Sequence, residues 1–158
     1  GRKNHIQLGT TISAIIIFED GKYLIGHVGD SRVYRITDTE LEVLTLDQTL
    51  MAQKVRNGTM TQEEAERDPR RNMLLQCVGA SKTVEPDYIV GSVSANECYM
   101  LCSDGFRHVV TADEIKDTFA PSVNMTEDAM KGNVIKLVEL NKERGETDNI
   151  TAILVRTV

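Results

Sequence analysis

The stretch that decides the fold is Glu97-Cys98-Tyr99-Met100-Leu101-Cys102-Ser103-Asp104-Gly105-Phe106, a short apolar run that ends at an aspartate followed by glycine. The length and composition of the run predict a strand that is buried on both faces. Such a strand places Asp104 at one edge of the core, where a carboxylate can hold a hard cation or a polarised water. Taken alone, Asp104 could equally be a helix N-cap or a turn residue.

Two further aspartates lie at predicted strand ends. Asp30 follows the apolar run that ends at Val28-Gly29, and Asp148 stands ahead of the apolar C-terminal run. If these strand ends meet in space, Asp30, Asp104 and Asp148 form an oxygen-rich cluster that suits Mg²⁺ or Mn²⁺ better than zinc. The structural alternatives are that Asp30 fixes its turn with Arg32 and that Asp148 caps a loop.

Length and composition indicate one soluble globular domain. The chain has 158 residues, of which 41% are hydrophobic and 27% charged, which is ordinary for such a domain. The formal net charge of -6 argues against nucleic acid as a partner, because binding to its backbone needs a basic surface. The same acidic balance favours metal cations as ligands.

The cysteines and the apolar runs predict a cytoplasmic protein without a membrane partner. Cys77, Cys98 and Cys102 form no Cys-x-x-Cys pair, so we interpret them as free thiols in a reducing compartment. No apolar run reaches the length of a bilayer span, and the first residues do not resemble a signal peptide.

The first part of the chain predicts an antiparallel meander. Residues 10–18 are β-branched and apolar and predict a central strand, and the Asp20-Gly21 pair predicts a tight hairpin into a strand over 23–28. Two more strands are predicted at 31–36 and 41–46. The connections are too short for crossover helices.

Residues 47–85 predict a compact helical excursion within the domain rather than a separate domain. Helices are expected over 49–57 and from Thr61, where Thr61 and Glu64 match a capping box, to Pro69. The remaining predictions are strands over 87–93, 97–103 and 150–158, a short helix over 111–119 and a long amphipathic helix over 127–144. This order of elements predicts an α+β fold with helices on the sheet faces.

Six motifs occur in the order and spacing of one family. They are Leu8-Gly9-Thr10-Thr11, Val28-Gly29-Asp30-Ser31-Arg32-Val33-Tyr34, Leu44-Thr45-Leu46-Asp47, Pro69-Arg70-Arg71-Asn72, Cys102-Ser103-Asp104-Gly105-Phe106 and Thr147-Asp148-Asn149-Ile150-Thr151. On these motifs, the chain resembles the protein phosphatase 2C family of metal-dependent serine/threonine phosphatases, and most of all its bacterial members.

The resemblance implies a four-layer fold, in which helices flank a sandwich of two antiparallel sheets. It implies two Mg²⁺ or Mn²⁺ ions, with Asp104 shared between them and Asp148 holding the second, and a third, weaker metal contacted by Asp30. It also implies phosphorylated protein substrates, a serine/threonine kinase as antagonist, and a flap beside the active site formed by the region from Leu50 to about Pro86.

The chemistry of such a metal pair follows from general principles. Two divalent ions can share a water, lower its pKa, and offset the charge that develops on a phosphate. Carboxylates are the ligands that hard ions prefer. A cysteine nucleophile is therefore not needed, and we interpret Cys102 as part of the core.

Two features of the family are missing from this sequence. It contains no Asp-Gly-x-x-Gly motif and no upstream arginine to hold the substrate phosphate. We therefore expect the chain to be a single partial catalytic domain, the C-terminal part of a longer one. On its own it should have little or no phosphatase activity, bind Mn²⁺ weakly, and be prone to self-association through exposed sheet edges and apolar surface.

The histidines and one glutamine bear on the details of the site. His108 stands four residues after Asp104, where many relatives have Asp or Asn near the third metal, and it could be a ligand or a surface or capping residue. Gln48 occupies a position where relatives often have histidine. We interpret this difference as evidence neither for nor against the resemblance. His5 and His27 have no visible partner in the sequence and are interpreted as structural.

A noncatalytic binding or regulatory module of the same fold is the alternative to the enzyme. An Asp-Gly-x-x-Gly motif upstream of Gly1 in the natural protein would favour the enzyme. A calcium-binding β protein is disfavoured, since the chain has no calcium-loop pattern of closely spaced acids.

Overall fold

The computed structural model describes residues 8–158, which form seven strands and five helices. In chain order these are β1 (Ile12–Ile17), β2 (Lys22–Val28), β3 (Arg32–Ile36), β4 (Leu41–Val43), α1 (Leu50–Arg56), α2 (Gln62–Arg67), β5 (Asp87–Ser92), β6 (Cys98–Cys102), α3 (Asp104–Arg107), α4 (Ala112–Phe119), α5 (Glu127–Glu143) and β7 (Ala152–Arg156). A 3-10 turn at Pro121–Val123 separates α4 from α5.

The strands form two antiparallel sheets, in the orders β1-β2-β5 and β4-β3-β6-β7. The predicted continuous meander is wrong, because β2 and β3 belong to different sheets. The chain crosses between the sheets at Gly29, whose φ is +112°. L residues rarely adopt this conformation, and a side chain at position 29 would also collide with Thr11.

Strand β6 is buried on both faces, as predicted. The side chains of Cys98, Met100 and Cys102 pack into a cluster with residues of α3, α4 and α5. On the opposite face Tyr99 packs between the two sheets, where its ring meets that of Tyr23 edge to face at a centroid distance of 5.8 Å. The strand therefore joins two separate hydrophobic clusters.

Helices α4 and α5 cover the outer face of the four-stranded sheet. Helix α4 begins with a capping box, in which the Thr111 hydroxyl accepts from the Glu114 N–H and the Glu114 carboxylate accepts from the Thr111 N–H. Phe119 of α4 and Leu137 of α5 are buried against this sheet. Both helices lie within about two residues of their predicted bounds.

The outer face of the three-stranded sheet is apolar and exposed. Ile12 and Ile16 of β1 and Tyr88 and Val90 of β5 have between 48% and 76% of their surface accessible. Within residues 8–158, β1 is an edge strand and not the predicted central one, because composition predicts burial but not which strands are neighbours. The described residues thus form three layers of an α+β fold with two antiparallel sheets.

The two short helices after β4 lie within about two residues of their predicted bounds. Thr49 caps α1, Thr61 and Glu64 form the capping box of α2, and Gly58 follows α1 with a φ of +69°. Two isolated β-bridges, between Thr10 and Val78 and between Thr49 and Leu74, hold the chain that follows α2 against the residues that precede β1 and α1. None of the helices described is long and apolar enough to span a bilayer.

A buried carboxylate fastens β6 to its neighbours. The side chain of Glu97 is 4% exposed and accepts hydrogen bonds from the Ser94 N–H, the Tyr99 hydroxyl and the Arg35 guanidinium. Burial alone would raise the pKa of Glu97, but these hydrogen bonds outweigh it and bring the pKa below its ordinary value of 4.5. The ionised form is therefore the one that stabilises the fold.

Replacement of Phe119 tests the core of the four-stranded sheet. Phe119 is fully buried and stacks on Phe106 at 6.2 Å, so Phe119→Ala is expected to lower the free energy of unfolding by about 3–5 kcal/mol in urea denaturation. Phe18 is 48% exposed, and the control Phe18→Ala should cost less than about 1 kcal/mol. Equal losses in the two variants would contradict the assignment of this core.

The Glu97 network predicts a pH-dependent loss of stability. Because the folded-state pKa of Glu97 is depressed, its contribution is present above pH 4.5 and is lost as the pH falls through the folded value. Glu97→Gln should lower the free energy of unfolding by about 1–3 kcal/mol at pH 7. The difference from the wild type should shrink on acidification.

The control for this prediction is Glu42→Gln, since Glu42 contacts the same Arg35 but has a side chain that is 58% exposed. That variant should stay close to the wild type at every pH in the same denaturation series. A Glu97→Gln deficit that does not change between pH 7 and pH 3 would contradict the role assigned to the ionised carboxylate.

Candidate metal centre

Asp104 lies where β6 ends, as the first residue of the one-turn helix α3. Its carboxylate accepts a 2.9 Å hydrogen bond from the Gly105 N–H, and 21% of its side chain is exposed. Ser103 occupies the N-cap position but makes no side-chain cap. The sequence did not predict this helix. The alternative that Asp104 is a helix N-cap differs by one residue from the structure, in which Ser103 holds the N-cap position.

The segment of Asp148 lies beside the start of α3 because the strand that follows it pairs with β6, with Cys102 opposite Ala152. A Cβ atom at Gly105 would lie 3.0 Å from the Asp148 Cβ and 2.7 Å from the Asn149 carbonyl oxygen. Any side chain at position 105 would therefore separate the two segments. The exposed Asp148 carboxylate accepts a hydrogen bond from the Asn149 N–H.

The Ser103 hydroxyl joins these two segments directly. It donates to the Asn149 carbonyl at 2.9 Å and accepts from the Thr151 N–H at 3.1 Å. The Ser103 N–H also donates to the Thr151 carbonyl. The backbone that carries Asp104 is thus fixed against the backbone that carries Asp148.

Asp30 occupies the third strand end, in the crossing between β2 and β3. Its pKa is raised, first by burial and then by the negative charges of Asp104 and Asp47. The alternative that Asp30 fixes its turn with Arg32 is wrong, because Arg32 forms its ion pair with Asp47.

Asp47 is the centre of an ion-pair cluster that the sequence analysis did not identify. Its side chain is 11% exposed and receives two hydrogen bonds from Arg32, at 2.8 and 2.9 Å, and one from Arg107, at 2.9 Å. Burial lowers the pKa of Arg32, but the hydrogen bonds and charge of Asp47 outweigh this effect and raise it. The Arg107 guanidinium also donates to the Asp30 carbonyl at 3.2 Å.

His108 lies between two carboxylates. Its Nδ1–H donates to Glu146 at 3.2 Å, and its Nε2 lies 3.7 Å from Asp104. Glu146 also accepts from the Asp148 and Thr147 N–H groups, and these bonds lower its pKa against the effect of burial. Glu146, and not Asp148 as the structural alternative proposed, therefore makes most of the hydrogen bonds that close this loop.

Gln48 makes hydrogen bonds that its interpretation from the sequence did not include. Its side chain accepts from the Gly29 N–H at 2.8 Å and donates to the Asp87 carboxylate at 2.8 Å. Its backbone N–H donates to the Gly29 carbonyl. Gln48 therefore holds the start of the Asp30 turn, and no pattern within its own segment predicts such long-range partners.

The other residues weighed from the sequence have structural surroundings. His27 is buried and bonds to the Ser13 hydroxyl and the Leu46 carbonyl, so it has partners that the sequence did not reveal. Burial raises the pKa of the Cys102 thiol to about 12, which agrees with a core residue and not a nucleophile. His5 lies outside the described residues.

The structure thus brings the segments of Asp30, Asp104 and Asp148 to one end of the sheets. Residues 8–158 nevertheless contain no group of three or more His, Cys, Asp or Glu side chains arranged to hold a metal ion. A hard cation needs several oxygen ligands at once. The described residues alone therefore do not make a complete metal site.

Comparison with known proteins finds relatives whose names describe protein phosphatases. No protein-family model matches the chain. A putative protein phosphatase 2C-type protein of Streptococcus pyogenes is 32% identical over 148 residues, which are 94% of this chain and 58% of the relative. The chain therefore spans a little over half of this relative's length.

Solved structures agree with this relationship. The serine/threonine phosphatase Stp1 from Staphylococcus aureus matches with a TM-score of 0.82 and 31% identity, over 95% of this chain and 57% of that one. The catalytic domain of the serine/threonine protein phosphatase PstP in complex with two manganese ions matches with a TM-score of 0.75 and 29% identity, over 92% and 57% of the two chains. Sequence and fold together show that the chain is similar, over almost all of its own length, to serine/threonine phosphatases of the protein phosphatase 2C type.

Proposed function

We propose that the chain is part of a metal-dependent phosphatase that removes phosphate from phosphoserine and phosphothreonine in proteins. The observation that carries the proposal is the contact across Gly105, which sets Asp104 and Asp148 on adjacent segments at one end of the sheets. The relatives' names describe serine/threonine phosphatases, and one matched structure contains manganese.

In this proposal the chain contributes a part of the ligand set for two Mg²⁺ or Mn²⁺ ions. Asp104 would be a ligand of both ions, Asp148 of the second, and Asp30 of a third, weaker ion with His108 as its neighbour. The remaining ligands come from outside residues 8–158, in a segment with an Asp-Gly-x-x-Gly motif. Residues 1–158 then form a single partial catalytic domain.

The region over residues 47–85 is proposed as a flap that influences substrate choice. It is connected to the candidate site, since Arg56 donates to the Asp47 carbonyl at 3.1 Å and the Leu75 N–H donates to the Gln48 carbonyl at 2.8 Å. Phosphorylated proteins are the proposed substrates and a serine/threonine kinase the proposed antagonist. The cytoplasmic location and the self-association of the chain stay predictions.

A noncatalytic module of the same fold is the second candidate. The lack of a complete ligand group within residues 8–158 favours it. The two candidates differ in what the natural protein carries beyond this chain, because an Asp-Gly-x-x-Gly segment would supply the carboxylate that a bridging position needs. Without that segment, Asp104 and Asp148 would be left as polar residues of a binding surface.

The proposed ligands predict a specific loss of metal binding. Asp104→Asn and Asp148→Asn are each expected to weaken the low affinity of the chain for Mn²⁺ by at least about tenfold in calorimetric titration, because an amide is a poorer ligand for a hard ion than a carboxylate. Asp113→Asn is the matched control, since that aspartate is 88% exposed on α4. Equal weakening in all three variants would contradict the assignment.

Activity measurements separate the chain from the proposed whole enzyme. Residues 1–158 alone are expected to release little or no phosphate from a phosphothreonine peptide with Mn²⁺ present. The natural protein, if it carries the Asp-Gly-x-x-Gly segment, should release phosphate in a Mn²⁺-dependent reaction that Asp104→Asn abolishes. Hydrolysis by residues 1–158 would refute the partial-site proposal, and a natural protein with that segment but without activity would refute the phosphatase proposal.

A further inference from the structure

We propose that Asp47 and Arg107 are positioning residues that clamp the Asp30 turn to helix α3 and so fix the separation between Asp30 and Asp104. The relevance of this clamp to metal binding rests on the function proposed above. The clamp itself consists of contacts between elements that are distant in sequence.

Arg107 is the residue that connects the two carboxylate-bearing segments. It lies on α3, three residues after Asp104, and only 17% of its side chain is exposed. One of its terminal nitrogens donates both to the Asp30 carbonyl, at 3.2 Å, and to the Asp47 carboxylate, at 2.9 Å. The backbone of Asp30 is thus joined to the helix that Asp104 begins.

Asp47 gives this connection a fixed anchor. Its two carboxylate oxygens are held by Arg32 in a bidentate pair, a geometry that limits rotation of both side chains. Arg32 belongs to β3 and lies opposite Cys102 of β6. Asp47 is therefore held to the sheet at the level of the strand end from which Asp104 emerges.

The contacts of Arg107 give a physical reason for the clamp. The Asp47 carboxylate is nearly buried and is paired with two cations, Arg32 and Arg107. Removal of the Arg107 charge would take one of these cations from a partly buried place, where charge interactions are strong. It would also leave the Asp30 carbonyl without its hydrogen bond to α3, and the Asp30 turn would then move away from this helix.

Amide hydrogen exchange of the full chain tests the clamp directly. The reporters are the Gly29 N–H, which donates to the Gln48 side chain, and the Gln48 N–H, which donates to the Gly29 carbonyl. In Arg107→Met both amides should exchange about tenfold faster than in the wild type, because the turn opens locally. Amides of β6 should remain within about twofold of the wild type.

Arg56→Met is the matched control. Arg56 also touches Asp47, but it donates to the backbone carbonyl and not to the carboxylate, so the Gly29 and Gln48 amides should exchange as in the wild type. Arg107→Lys keeps a cation but loses the planar guanidinium, and it should lie between the wild type and Arg107→Met. Unchanged exchange at Gly29 and Gln48 in Arg107→Met, or equally faster exchange over the whole chain, would overturn the proposal.

A Mn²⁺ titration followed by paramagnetic broadening separates the clamp from the function on which its relevance rests. In the wild type, the Asp30 amide should broaden at higher Mn²⁺ concentrations than the Asp104 amide, because the ion proposed at Asp30 is the weaker one. In Arg107→Met, the Asp30 amide should need about tenfold more Mn²⁺ than in the wild type, while the Asp104 amide changes less. If the Mn²⁺ concentrations needed by the two amides keep their wild-type ratio in this variant, the positioning role is overturned. If neither amide broadens in the wild type, the proposed metal function fails, and the exchange data still decide whether the clamp exists.

Discussion

Burial of β6 on both faces is the constraint on which the rest of the described structure depends. One face completes the core beneath α4 and α5, and the other completes the core between the sheets. Because successive side chains of a strand point to opposite faces, a shift of one residue would exchange the two sets. The register of β6 against β3 and β7 is therefore fixed, and that register determines where Asp104 emerges and which residues lie beside it.

Local patterns in the sequence predict the elements well and their neighbours poorly. The capping box at Thr111 and the apolar run of β6 act within a few residues, so both are visible in the sequence. The crossing at Gly29 moves β3 into a different sheet, and the pairing that results depends on contacts with a strand more than sixty residues away. A meander was therefore predicted where two sheets exist.

The residues of the candidate site likewise include some that local patterns predict and some that depend on distant contacts. The three aspartates could be identified because each follows or precedes a predicted strand. Asp47 could not, since its importance comes from Arg32 and Arg107, and Arg107 lies sixty positions along the chain. The described site thus contains a carboxylate, Asp47, that is paired with two arginines, and the proposed metal site needs ligands in addition to the three aspartates.

We propose that Asp104 and Asp148 face a common site for divalent ions, and a crystal of the chain soaked in Mn²⁺ tests this proposal. A common site should give an anomalous difference peak within coordination distance of both carboxylates, about 2.0–2.4 Å from their oxygens. A structure in which the two side chains point away from each other, with Mn²⁺ bound elsewhere or not at all, would contradict it.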